Sequence, residues 1–245
     1  MAGGKGSRMQ SSLPKTLHHV GGIPIIDRLR ATVREAFAVS PVVIVGHESA
    51  TLRVHLGEST PTVTQEEQLG TGHAVRVALE QLPHVDEGTL LVIPGDHPLI
   101  SVASLQMLVA ESEKQNAPVL LGTVQVPHFE ESYKSFAHAG RVVRDDAGMV
   151  QYVKEYKDAD EGERAITELN VSMYCFDLAW LRAHINLIGN ENKNNEYYLT
   201  DIIGIARNAG YGVFPIILPN IDDGRGVNTQ EELQEVERIL AERNK

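Results

Sequence analysis

Met1-Ala2-Gly3-Gly4-Lys5-Gly6-Ser7-Arg8-Met9, continued by Leu13-Pro14-Lys15, is the stretch from which the fold can be read. Three glycines fall within four positions, and Lys5, Arg8 and Lys15 decorate the same backbone. Glycine lets main-chain N–H groups approach a ligand with no Cβ in the way. Successive N–H groups turned inward form an anion-binding nest. Arg adds a planar fork for phosphate oxygens and Lys a mobile point charge. The stretch therefore reads as a phosphate grip, set against the plain alternative of a loose basic chain end. It lacks the G-x-x-x-x-G-K-[ST] of a P-loop, and Met9 stands where a dinucleotide fingerprint needs its last glycine.

At 245 residues the chain can bury a full core as one α/β domain, residues 1–245. A net charge of −11 argues against broad nucleic-acid or membrane-surface binding, and suits a local cationic pocket for a small phosphorylated substrate. Cys175 is the single cysteine, which excludes an internal disulfide and points to a reducing, cytoplasmic setting. No apolar run approaches the ~20 residues of a membrane span, and the start of the chain has no signal-peptide core.

The hydrophobic periods alternate between helix and strand, which predicts a mostly parallel mixed sheet with helices on its faces. Pro24 is expected to open a helix buried through Ile26, Leu29, Val33 and Phe37. Strands are expected at 41–45, 62–65, 89–93, 118–126, 166–176 and 213–218. The runs at 41–45 and 89–93 read as buried on both faces. Helices are expected at 49–56, 72–82 (stopped by Pro83), 101–115 (capped by Ser101), 158–165, 178–187, 200–208 and 229–243 (capped by Thr229). Residues 141–153 read as a hairpin turning at Asp145-Asp-Ala-Gly148. The region 129–174 departs from strict alternation and is expected to form a small lobe. A phosphate loop belongs at the carboxyl end of a strand. Only Met1 and Ala2 precede Gly3, so a further apolar strand is expected upstream of Met1.

Pro94-Gly95-Asp96 follows the run at 89–93 directly, which would deliver the Asp96 carboxylate to the sheet edge that carries the glycine loop. An oxygen donor there suits Mg²⁺; an Asp in a tight turn is the simpler reading of the same residues. Asn228 ends Asp222-Asp-Gly-Arg-Gly-Val-Asn just before a helix, and is either a second oxygen donor or a helix-flanking polar residue. In Gln65-Glu-Glu-Gln-Leu-Gly-Thr-Gly-His73, Gly70 and Gly72 flank Thr71 at a helix entry. That backbone, with an amide nearby, suits a flat heterocycle, or is simply a glycine-rich helix start. The ten histidines form no H-E-x-x-H, and no G-x-S-x-G elbow is present. Cys175 reads as a small core residue.

Taken together, A-G-G-K-G-S-R-M, L-P-K, E-E-Q-L-G-T-G-H-A, G-D-H-P-L-I-S, the G-R-V-V-R…Y-V-K-E-Y-K-D-A hairpin, E-Y-Y-L-T-D-I and G-V-N resemble the sugar nucleotidyltransferases. Among them the resemblance is to the N-acetylglucosamine-1-phosphate uridylyltransferase domains of bacterial GlmU proteins. It spans nearly the whole chain, and Q-L-G-T-G-H-A is its most specific string. It implies a Rossmann-like nucleotide-diphospho-sugar transferase fold and the Mg²⁺-dependent joining of UTP and a sugar 1-phosphate into a UDP-sugar and pyrophosphate. By the same resemblance Met1, Ala2, Gly3 and Gly4 would lie along the nucleotide. Lys15 and Arg8 would meet its phosphates, and Gln65, Gly70 and Thr71 would read the uracil. Asp96 and Asn228 would hold Mg²⁺. Gly140, Glu155 and Asn170 would contact sugar and ribose, with Pro94 and Gly95 beside them. Pro94 stands where the family usually has Tyr, and Val171-Ser172 where it usually has Thr-Gly. Both departures fall near the expected sugar, so they leave its identity open. The family's hexapeptide β-helix is not in this sequence. Related readings are a thymidylyl- or guanylyltransferase and a non-catalytic nucleotide-sensing subunit. Partners are small molecules, with no nucleic acid and no membrane; the oligomeric state is left open.

Overall fold

The computed structural model describes every residue except 5–6, 47–48, 83–84, 116 and 244–245. Lys5, Gly6 and the helix-stopping Pro83 thus lie outside the described residues. The elements in chain order are β1 (His19–Val20), β2 (Ile23–Pro24), α1 (Ile25–Phe37), β3 (Val43–Gly46), α2 (Ala50–Leu56), β4 (Thr62–Gln65), α3 (Thr71–Gln81), β5 (Thr89–Val92) and α4 (Val102–Gln115). There follow β6 (Val119–Gln125), β7 (Gly140–Arg144), β8 (Val150–Lys154), α5 (Glu161–Ala165), β9 (Glu168–Asp177), α6 (Leu178–His184), α7 (Asp201–Asn208), β10 (Val213–Ile217) and α8 (Gln230–Arg243). Two compact units result: Met1–Gln68 with Pro94–Gln106 and Asp222–Lys245, and Leu69–Ile93 with Met107–Ile221.

In the first unit α1 buries Ile25, Ile26, Leu29 and Val33, a stripe at helical spacing. Ile26 joins Leu17, Val43, Val45, Leu52 and Leu56 in one cluster, and Ala2 rests against it. β3 and β4 pair in parallel from Val43↔Thr62 to Gly46↔Gln65. The strand expected from Pro41 starts two residues later, where the Val43 N–H first finds a ladder partner in the Pro61 carbonyl. Ser49 does not cap α2; its hydroxyl turns back to donate to the Gly46 carbonyl instead. Met1 and Ala2 run as main chain alongside β3. The Ala2 N–H donates to the Ile44 carbonyl at 2.8 Å, and the Gly95 N–H donates to the Met1 carbonyl at 2.7 Å.

The second unit is organised by β9. Its sheet runs β10-β6-β9-β7-β8, with β5 also on β9. β10 and β6 are parallel, whereas β6, β7 and β5 all meet β9 antiparallel. β7 pairs with the early part of β9, at Gly140↔Asn170 and Arg141↔Leu169, while β5 pairs with its end, Tyr174 to Asp177. Between these ladders the register against β6 shifts, and Ser172 adopts a left-handed φ of +58°. Bulges of this kind re-aim side chains. The run at 89–93 was expected to be buried on both faces. In β5, however, Leu90 and Leu91 are half-buried and only Val92 is buried, because β9 is its sole ladder partner among the described residues. The hairpin turns at Asp145 as expected: the Asp145 carboxylate accepts the Ala147 and Met149 N–H groups, and Gly148 takes φ +77°. Helix α5 starts at Glu161 because Asp160 and Glu163 close a capping box. Cys175 is buried in β9, and burial pushes its thiol up to about 12.

The entry to α3 is docked on residue 197. The Tyr197 N–H donates to the Leu69 carbonyl, and the Gly72 N–H donates to the Tyr197 carbonyl. Gly70 sits between them at φ +111°, where a Cβ would stand 2.6 Å from the Tyr197 carbonyl oxygen and 2.9 Å from its nitrogen. Backbone cannot yield as a flexible side chain can. Gly70→Ala is therefore expected to destabilise the fold by about 2–4 kcal/mol through combined strain and overpacking. Urea unfolding measures it; a cost under about 0.5 kcal/mol, the range of ordinary surface changes, would contradict this account of the loop.

Candidate active site

Within the first unit, chain segments distant in sequence converge on Lys15. Lys15 follows Pro14 and opens a single 3₁₀ turn. Its ammonium donates to Asp96 Oδ2 and, at 3.0 Å, to Asn228 Oδ1. Arg8 Nη2 donates to the same Asn228 oxygen at 3.0 Å. The loop that carries Asn228 is fastened in several places. The Val227 N–H donates to the Asp96 carbonyl at 2.8 Å. Buried Asp223 accepts the Ser101 N–H and hydroxyl at the start of α4. Buried Arg225 pairs with Asp222 and with Glu235 of α8. The Asn228 N–H donates to Glu232 Oε2 at 2.6 Å, and the Thr229 hydroxyl accepts the Glu232 N–H, which caps α8.

Asp96 is 18% exposed at its side chain and Lys15 14%. Burial alone would raise the Asp96 carboxyl. The Lys15 ammonium and the His97 ring outweigh that and hold it well below the usual carboxylate range. The Met1 amino group is pushed down to about 6 by burial, with the Asp96 charge pulling the other way. Gln65 is buried at the end of β4 with its side-chain oxygen beside Gly3. Gln68 Nε2 donates to the Gly3 carbonyl at 2.6 Å. The glycine stretch is thus held by the backbone of β3 and Gly95 and by these glutamines. A Cβ at Gly3 would lie 3.3 Å from both Gln65 Oε1 and the Gly46 nitrogen, a close contact.

Asp96 and Asn228 present two oxygen donors within reach of one cation, since a single ammonium touches both. Carboxylate and amide oxygens are donor types that suit Mg²⁺. The described residues contain no group of three His, Cys, Asp or Glu that could hold a metal ion.

Within the second unit, Thr71 uses its hydroxyl oxygen to accept the Leu199 N–H at 3.0 Å, so its side chain, like Gly70, is engaged in docking α3. Gly140 pairs with Asn170 across the β7–β9 ladder. The Asn170 amide donates to the Tyr174 hydroxyl at 2.7 Å, and its oxygen accepts the Ser172 N–H. Glu155 accepts the Thr200 hydroxyl at 3.1 Å. Burial raises its carboxyl, and nearby Asp201, Asp158 and Glu196 push the same way. Burial, together with the Glu155 charge, likewise drives the Tyr174 hydroxyl far up, which keeps it a neutral donor and acceptor.

Sequence reasoning brought Asp96 and Asn228 forward but passed over His97, Gln68 and Tyr174. Each lies within five residues of a residue that was read, and only the folded partners distinguish them from their neighbours.

Residues 1–169 match the family of MobA-like NTP transferase domains. The chain is 40% identical over 245 residues to the bifunctional protein GlmU of Trichlorobacter lovleyi, an alignment covering 99% of this chain and 52% of that protein. It is 41% identical over 243 residues to the GlmU of Lactococcus lactis subsp. lactis, covering 99% of this chain and 51% of that protein. The chain thus spans about half the length of the curated relatives it matches. Its fold is similar to that of an apo UDP-glucose pyrophosphorylase, with a TM-score of 0.76 at 14% identity, covering 100% of this chain and 97% of that one. It is also similar to a CMP:2-keto-3-deoxy-manno-octonic acid synthetase complexed with CTP, with a TM-score of 0.66 at 16% identity over 95% and 94% of the two chains. By its family match and by the α/β nucleotide-diphospho-sugar transferase fold it shares with these structures, the chain belongs to the MobA-like NTP transferases.

Proposed function

We propose that the protein is a cytoplasmic uridylyltransferase that joins UTP and N-acetylglucosamine 1-phosphate to give a UDP-sugar and pyrophosphate. The observation that carries this reading is the meeting of Lys15, Arg8, Asp96 and Asn228 beside a glycine-rich main chain. The resemblance to GlmU uridylyltransferase domains supplies the base and the sugar. In the reaction an oxygen of the sugar 1-phosphate attacks the α-phosphorus of UTP. The bond to the α,β-bridging oxygen breaks and pyrophosphate leaves. The nucleophile is already an anion, so no general base is required, and the work of the chain is positioning and charge neutralisation.

Lys15 and Arg8 meet the growing charge on the transferring and leaving phosphates. Asp96 and Asn228 would hold Mg²⁺, which when bound would supply positive charge against the negative charge of the phosphate oxygens. Met1 to Gly4 lie along the nucleotide and Gln65, Gly70 and Thr71 read the uracil. Gly140, Glu155 and Asn170 hold sugar and ribose through hydroxyl contacts. Pyrophosphate release from a panel of nucleotides and sugar 1-phosphates tests the reading; nucleotide binding without turnover on any of them would favour a sensing subunit.

Asp96→Ala and Lys15→Ala are each expected to lower kcat by on the order of 10²–10³ while leaving the circular dichroism spectrum unchanged. Near-normal turnover in Asp96→Ala would remove the metal assignment.

Glu155 gives a prediction of opposite signs for stability and activity. Its folded carboxyl titrates above its unfolded value, so the folded state holds the proton more tightly and stability falls as pH rises between the two values. Above the raised value the charged form carries the full penalty. Glu155→Gln keeps an oxygen for the Thr200 hydroxyl and removes the charge. It is expected to raise Tm at pH 7, to show no difference well below the ordinary carboxylate value of about 4.3, and to weaken sugar 1-phosphate binding. A variant less stable than wild type at pH 7 would contradict the electrostatic account; unchanged KM for the sugar 1-phosphate would contradict the binding role.

A further inference from the structure

We infer that His97 is a positioning residue that holds the Asp96 carboxylate in the orientation its cation needs; the inference rests on reading Asp96 as a metal-binding group. His97 Nδ1 lies 2.7 Å from Asp96 Oδ1. An ionised carboxylate only accepts, so Nδ1 carries the proton. The other oxygen, Oδ2, faces Lys15, whose ammonium also touches Asn228 Oδ1. The two oxygens of Asp96 therefore have separate duties: Oδ1 is fastened to the ring and Oδ2 is presented toward Asn228.

The ring is itself fixed. Its side chain is 13% exposed, and it lies against Gly226, where a Cβ would stand 3.0 Å from Cε1 and 3.4 Å from Nδ1. The next residue, Val227, donates its N–H to the Asp96 carbonyl. His97 is thus wedged between the carboxylate and the loop that carries Asn228. Among the described residues, Lys15 and the Met1 amino group also face Asp96. Lys15 reaches Oδ2 on a flexible stem and leaves the carboxylate free to swing about its Cβ–Cγ bond, whereas a second donor on Oδ1 removes that freedom. Mg²⁺ demands near-ideal octahedral geometry, so the orientation of a carboxylate ligand affects affinity directly. Hydrogen-bond partners of metal ligands elsewhere contribute about 10–100-fold in affinity or activity.

The test is Mn²⁺ binding to the full chain in the presence of UTP, followed by electron paramagnetic resonance, for the wild type, His97→Leu and His97→Asn. Leu fills the space and donates nothing, whereas the Asn amide places an N–H₂ near the position of Nδ1. His97→Leu is expected to weaken Mn²⁺ binding about 10-fold and His97→Asn to remain within about 3-fold of wild type. kcat should follow the same order, with KM for UTP unchanged. Wild-type Mn²⁺ affinity in His97→Leu, or equal losses in both variants, would overturn the inference. Gly226→Ala crowds the ring without removing it, is expected to weaken Mn²⁺ binding comparably, and decides the matter where His97→Leu does not fold. The binding readout needs no turnover. A wild type that binds Mn²⁺ with UTP yet forms no UDP-sugar removes the proposed reaction and leaves the His97 result standing. A wild type that binds no more Mn²⁺ than UTP alone does overturns both.

Discussion

A carboxylate largely withdrawn from water must be answered by cations and hydrogen-bond donors, and around Asp96 that requirement organises the first unit. Lys15 and His97 take one oxygen each. Lys15 extends the demand to Asn228, and Asn228 extends it to Arg8. Each partner comes from a different part of the chain: the Lys15–Asp96 pair spans 81 residues and the Lys15–Asn228 pair 213. Ion pairs over such distances close large loops and are held by the parts that position them. Hence the Val227–Asp96 main-chain bond, the Asp223 cap on α4 and the Arg225 pairs with Asp222 and Glu235. Removing one partner of such a cluster leaves the others less well answered, a cost shared among the many bonds that fasten the Asn228 loop.

Much of the local structure was legible because it rests on local physics. The Asp145–Gly148 turn, the Ser101 and Thr229 caps and the β4 strand follow from side chains acting within four residues. The errors share a cause. The helix expected from Ser49 begins one residue later, at Ala50, with the Ser49 hydroxyl turned to the Gly46 carbonyl. The run at 90–93 is apolar, but among the described residues β5 pairs only with β9. The central place of β9 could not be read from its residues. Pairing with three strands is set by partners 28 to 88 residues away, and the glycine at the register shift, Gly122, lies on β6 rather than in β9.

The candidate site was legible in kind and not in arrangement. Glycines, cations and a carboxylate named the chemistry. That Gln68 grips Gly3, or that Thr71 gives its hydroxyl to Leu199, depends on packing between segments that share no periodicity. Gly70 is instructive. A glycine beside a suspected base invites a ligand explanation, yet its positive φ and the Tyr197 backbone already require it. The structural demand is sufficient on its own, and any contact with a base is added to it.

The second unit shows the converse economy of charge. Glu155 is surrounded by Asp158, Glu196 and Asp201, with a Thr hydroxyl as hydrogen-bond partner, so its raised carboxyl is a standing cost to the fold. A group with purely structural duties would be better replaced by a neutral amide. The neighbouring Asn170–Tyr174–Ser172 network is, by contrast, well satisfied, with the strained φ of Ser172 held by the Asn170 side chain. A costly acid set beside a rigid array of neutral hydrogen-bonding groups suits a ligand rich in hydroxyls, which can donate to the acid and accept from the amide. A bare phosphate would meet only repulsion from the same acid.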